Sequence, residues 1–65
     1  MPSNFDRELK EKLLAAGCSY VRHAKGSHDL WVSPLSGRHF VVPEDIRSRH
    51  TANAILKQAG LPKAF

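Results

Sequence analysis

Arg22, Lys25, Gly26, Ser27 and His28 are the residues of this chain whose types and spacing best suit chemistry on a phosphodiester. An imidazole has an unperturbed pKa near ~6.5, so His28 can give or take a proton at neutral pH. Lys25 and Arg22 bring positive charge beside it, able to hold a phosphate and to stabilise charge developing on it. Gly26 permits positive φ and a close approach of backbone to a ligand. Ser27 either donates to a phosphate oxygen or merely closes the turn. The plain alternative for His28 is a half-buried histidine that satisfies backbone groups, since lone histidines are common.

The other chemistry-bearing residues are less organised. His23 and His28 flank one turn, so either could assist the other. The histidines at 23, 28, 39 and 50 are spaced by 5, 11 and 11 residues. That matches no zinc signature, and no metal or other cofactor is expected. Cys18 is the only cysteine, so no internal disulfide can form, and a reducing cytoplasm is the natural compartment. Trp31 alternates with Asp29 and Ser33, which places it on the sheet face away from the helices. There it would stack on a base, anchor a protein, or simply cover the sheet.

These residues must be held by a small scaffold. A chain of 65 residues is one domain, 1–65, and buries only roughly 60% of its unfolded surface. A bound partner could therefore add much of its working stability. The apolar runs are too short to span a membrane, and the opening Met1-Pro2-Ser3-Asn4 is polar, without a signal-peptide core. The net charge is +4. Residues 1–17 are balanced, so the whole excess lies in 18–65, where seven basic residues face three acidic ones. Such a bias points to a polyanion, although charge alone also serves solubility. Arg22, Lys25 and Arg38 supply the expected basic face.

Phe5, Leu9 and Leu13 recur at helical spacing, and Leu14 and Ala16 widen the stripe, so a helix is expected over 4–16. Ser3 and Asp6 suggest a capping box, and Gly17 a left-handed stop. Strands are expected at 18–23, 28–33 and 38–42, on length and β-branched or aromatic content. On the second, His28, Leu30 and Val32 share a face, with Leu30 and Val32 directed to the core and His28 at its rim. The second helix is expected over 51–59, with Ala52, Ile55, Leu56 and Ala59 buried and Gly60 as its stop. The order is α-β-β-β-α: an α+β fold in which a three-stranded antiparallel sheet carries two helices on one face.

Gly17, Arg22, Lys25-Gly26-Ser27-His28, Trp31, Pro34, Gly37-Arg38, Val41-Val42-Pro43 and the closing Ala54 to Leu61 resemble the HicA family of bacterial toxins. The likeness spans nearly the whole chain. It implies a fold like the double-stranded RNA-binding domain, metal-independent endoribonuclease activity on messenger RNA, and a HicB-like antitoxin partner. It also implies that His28 is the catalytic histidine. Where many such sequences carry a further histidine after the third strand, this chain has Glu44-Asp45. Three alternatives remain open: a toxin ribonuclease, a non-catalytic double-stranded RNA-binding module, and a protein-interaction domain using the Trp31 face. The Arg47-Ser48-Arg49-His50 stretch is a thin basic cluster for the second.

Overall fold

The computed structural model describes residues 4–65. Helix α1 (Asp6–Ala15) is followed by strands β1 (Ser19–His23), β2 (His28–Val32) and β3 (His39–Pro43), then helix α2 (Arg49–Gln58). The strands form one antiparallel sheet in the order β1-β2-β3. The α+β order is the expected one. Among the described residues, no helix is long and apolar enough to cross a membrane.

Both helices end in the same way. Gly17 (φ +89°) follows α1, the Cys18 amide donates to the Leu13 carbonyl at 3.0 Å, and Gly17 N–H donates to Leu14. Gly60 (φ +84°) follows α2, and Leu61 N–H reaches back to the Leu56 carbonyl at 2.8 Å. These are Schellman closures, which need a residue tolerant of positive φ. Helix α2 begins two residues earlier than the apolar pattern implied. The Ser48 hydroxyl accepts from the amides of His50 and Thr51, so the polar stretch before Thr51 is already helical. Ser3, half of the expected capping box, lies outside the described residues. Asp6, the other half, does something else: its carboxylate accepts from the amides of Asp45 (2.8 Å) and Ile46 (2.6 Å). It pins the β3–α2 connection to the start of α1.

The helix stripes pack much as their spacing implied. Leu9, Leu13, Ala52, Ile55, Leu56 and Ala59 are buried, while Phe5 and Ala16 pack at the edge. Leu14 is a correction: it is 60% exposed, because one step beyond Leu13 turns it about 100° off the buried line.

The sheet faces are reversed from the expectation. Trp31, Phe40, Val42 and Ser33 are buried beneath the helices. Leu30 and Val32 are only half-buried, on the open face with exposed Val41. The reason lies in the pairing. Trp31 lies opposite Phe40 and Asp29 opposite Val42, so one face gathers the aromatic side chains of β2 and β3 with a valine. Aromatic side chains bury ~150–250 Å² each, more than the aliphatic set on the other face offers. Ser33 costs little there, because its hydroxyl donates to the Ala59 carbonyl at 2.5 Å.

Candidate functional site

The β1–β2 turn is closed by backbone. Ala24 N–H donates to the His28 carbonyl at 2.9 Å, and His28 N–H donates to the Lys25 carbonyl at 3.3 Å. Gly26 sits at φ +64° with open space where a Cβ would stand. Its requirement is therefore conformational rather than a matter of room. Lys25, Gly26, Ser27 and His28 are all exposed.

His28 opens β2 directly opposite Pro43, the last residue of β3. The Glu44 amide then donates to the Ser27 carbonyl at 2.8 Å. The turn and the exit of β3 are thus tied together at one end of the sheet. His28 shares the open face with Leu30, Val41 and Pro43, since directly paired residues share a face. Its ring is not at the rim of the core, as expected from the sequence. It stands in solvent on the uncovered side, with no hydrogen bond to its nitrogens among the described residues.

Arg22 reaches this face through a bulge. Tyr20 pairs with Trp31 and Arg22 with Leu30, so Val21 is the extra residue of β1. Without it, Val21 would stand opposite Leu30 and Arg22 opposite Asp29. The bulge therefore re-aims the arginine onto the side that carries His28. Its Nη1 donates to the His23 carbonyl at 3.2 Å, which leaves the rest of the guanidinium to solvent.

The same bulge separates the two histidines of the turn. His23 pairs with Asp29, and its Nδ1 lies 3.1 Å from Asp29 Oδ1. That pair occupies the helix side of the sheet, opposite His28. His39 pairs with Val32 at the far end, and His50 lies in the first turn of α2. Among the described residues no group of three or more His, Cys, Asp or Glu stands together.

Arg38 is not brought to the site. It precedes β3 beside the β2–β3 turn, and its carbonyl accepts from Ser33 N–H at 3.0 Å. Five residue steps along the sheet separate it from the His28 end, roughly 17 Å at a rise of about 3.4 Å each. The Trp31 expectation also fails. Trp31 is 95% buried, with its Nε1–H unpartnered and Tyr20 edge-on at 6.4 Å. It cannot stack on a base or anchor a partner from that position. The exposed aromatic is Tyr20, at 52%, which the sequence reading passed over.

The β3–α2 connection also lies at the His28 end. Asp45 has φ +56°, and its carboxylate accepts from Arg47 Nε at 3.0 Å and Asn4 Nδ2 at 3.1 Å. The Arg47 guanidinium first, and the Asn4 amide second, hold that carboxyl below its ordinary 3.8. Asp45 thereby occupies Arg47 and removes part of the local positive charge. Arg49 and His50 are exposed at the start of α2, whose first turn has no acidic residue. The helix N-terminus adds partial positive charge there.

The β1–β2 turn and the β1 bulge therefore set Lys25 and Arg22 with an exposed imidazole at one end of the sheet, and the β3–α2 connection starts beside that turn. Such a surface can bind a polyanion and exchange a proton with it. The profile of one protein family, described as HicA toxin of bacterial toxin-antitoxin, matches residues 7–61. No curated protein and no solved structure matches the chain.

Proposed function

The chain belongs to the HicA toxin family, toxins of bacterial toxin–antitoxin systems, and on that footing we propose that it is an endoribonuclease that cleaves messenger RNA in the cytoplasm. RNA carries its own nucleophile, the 2′-hydroxyl. Cleavage needs a base to take that proton and an acid to protonate the leaving 5′ oxygen. His28 supplies one of these roles. Lys25 and Arg22 neutralise the phosphate, and the Gly26-Ser27 backbone shapes the turn beneath it. The observation that carries this reading is the bulge that puts Arg22 on the open face together with exposed His28.

Purified toxin should cut an RNA oligonucleotide, and folded His28→Ala should lose that activity. Circular dichroism on the variant separates loss of chemistry from loss of fold. Cleavage by folded His28→Ala at the parental rate removes His28 from the mechanism. RNA binding without cleavage by the parent favours the non-catalytic double-stranded RNA-binding module. That reading draws on exposed Lys25 in the β1–β2 turn and on exposed Arg49 and His50 at the start of α2.

The partner is a HicB-like antitoxin that covers His28. The open face joins half-buried Leu30 and Val32 and exposed Val41 to Arg22 and His28. An acidic surface with an apolar centre fits it, and charge complementarity speeds association. Diethyl pyrocarbonate should modify His28 in the free toxin and spare it in the complex. Equal reactivity in both states excludes inhibition by occlusion.

A further inference from the structure

Strand β1 differs from its neighbours on the helix side of the sheet. Trp31, Phe40 and Val42 are buried there, whereas all five residues of β1 are exposed. Helix α2 packs against β3, and β1 is the edge strand farthest from β3. Tyr20 and His23 both stand on this uncovered strip, because their partners Trp31 and Asp29 share the helix side. The bulge at Val21 makes this so. Without it, residues 20 and 23 would fall on opposite faces.

Each ring is held from one side. Tyr20 lies edge-on to Trp31, with centroids 6.4 Å apart and planes at 82°. His23 is fixed by Asp29, whose Oδ1 lies 3.1 Å from Nδ1. The Asp29 side chain is 19% exposed against 57% for His23, so it is the imidazole that meets solvent. The partners of Tyr20 and His23 are two residues apart on β2, which sets the pair about 7 Å apart along the strand. That is twice the ~3.4 Å step of a stacked nucleic-acid strand, so the strip suits bases splayed from one another, as single-stranded RNA presents them.

Arg22 joins this strip to the His28 face. Ala24 N–H donates to the His28 carbonyl at 2.9 Å, which makes His23 and Asp29 a non-hydrogen-bonded pair of the ladder. The His23 carbonyl therefore points away from β2, out of the free edge of β1. Arg22 Nη1 donates to that carbonyl at 3.2 Å, so the guanidinium lies over the edge between the two faces. This contact and the bulge also make the edge a poor template for an added protein strand.

Resting on the ribonuclease reading above, we infer that Tyr20 and His23 form a subsite that stacks two bases of single-stranded RNA beside the phosphate at His28. The RNA backbone crosses the free edge of β1 at Arg22, with Lys25 on the turn as the second cation. Such a subsite prefers single strands, the opposite of a duplex-binding domain of the same shape.

RNA binding is measured by fluorescence anisotropy in the His28→Ala background, so that no probe is cut. The probes are a single-stranded oligonucleotide, an abasic oligonucleotide of the same length, and a duplex. Stacking of one base on one aromatic ring is worth about 5–150-fold in affinity. Tyr20→Ala should lose that factor on the base-bearing single strand and nothing on the abasic one, and Tyr20→Phe should bind as tightly as the background. His23→Ala should likewise lower the ratio of base-bearing to abasic affinity, and His23→Phe should restore it. Lys25→Ala should weaken both probes alike. A role confined to covering Trp31 would move thermal stability and not that ratio. Tyr20→Leu keeps the packing bulk without the aromatic face, and it replaces Tyr20→Ala if that variant unfolds. An unchanged ratio in the folded Tyr20 variant, or tighter binding of the duplex than of the single strand, overturns the subsite while leaving His28 in place. Failure to bind any of the three probes overturns the ribonuclease reading itself, and the subsite with it.

Discussion

Asp6 offers the sharpest test of how the fold holds its functional end. Replacing it with alanine removes the acceptor of two backbone amides, Asp45 at 2.8 Å and Ile46 at 2.6 Å. The two losses are unequal. Asp45 is exposed, so its amide can turn to water. Ile46 is 3% exposed and part of the core, so its amide becomes an orphan donor. An unsatisfied buried donor costs about 1–3 kcal/mol. Lost interaction of Asp6 with the α1 dipole adds about 0.3–1 kcal/mol. A total near 2 kcal/mol is a large share of the roughly 3–10 kcal/mol available to a chain of this size. At about 4–8 °C per kcal/mol, the melting temperature should fall by about 8–16 °C.

Thermal unfolding followed by circular dichroism measures the drop, and amide hydrogen exchange at Ile46 locates it. Glu8→Ala is the control, because Glu8 also lies in the first turn of α1, is exposed, and makes no side-chain hydrogen bond or ion pair among the described residues. It should shift the midpoint by no more than the dipole contribution. Asp6→Asn keeps one carbonyl oxygen and should fall between. A melting temperature for Asp6→Ala equal to that of Glu8→Ala, with unchanged exchange at Ile46, would refute the clamp.

Trp31→Ala should cost about 3–5 kcal/mol and leave the domain largely unfolded, whereas Trp31→Phe removes the unpartnered N–H and should remain folded by circular dichroism. RNA binding should weaken steeply between low and physiological salt, and Lys25→Ala should shallow that slope; a flat response argues against phosphate contacts. Cleavage should persist in excess EDTA, because the 2′-hydroxyl supplies the nucleophile and no described residues assemble a ligand set; loss restored by one divalent ion contradicts this. Asp45 has a folded pKa below its ordinary 3.8, so its stabilising contribution is full above that pH and is lost as pH falls through the lower folded value. Arg47→Ala should reduce this acid sensitivity, read as a smaller change in unfolding midpoint on acidification.

The element order was legible because each boundary is a local event. Gly17 and Gly60 stop helices through their own conformational freedom, and the helix stripes repeat at a period that few other arrangements produce. The sheet faces were not legible from β2 alone. Its two alternating sets are Leu30 with Val32 and Trp31 with Ser33, and local hydrophobicity favours the first. The decision is made across the ladder, where Phe40 and Val42 of β3 join Trp31 beneath α2. A buried serine looks wrong in the sequence until the Ala59 carbonyl, 26 residues away, is brought to it.

The candidate site shows the same division between local and distant causes. The Lys25 to His28 turn was readable, since Gly26 and the flanking strand residues announce it. The placement of Arg22 was not, because Val21 has strong strand character and nothing in its type signals an extra residue. That single insertion decides three things together: Arg22 joins His28, His23 is turned to Asp29, and the two histidines part. By charge alone Arg38 is equivalent to Arg22, yet antiparallel pairing sends it to the other end of the sheet. Glu44 stands in the sequence only as the residue found where many similar chains carry a further histidine. Its tie to the turn, an amide that donates to the Ser27 carbonyl at 2.8 Å, is a property of the β2–β3 register and has no local signal.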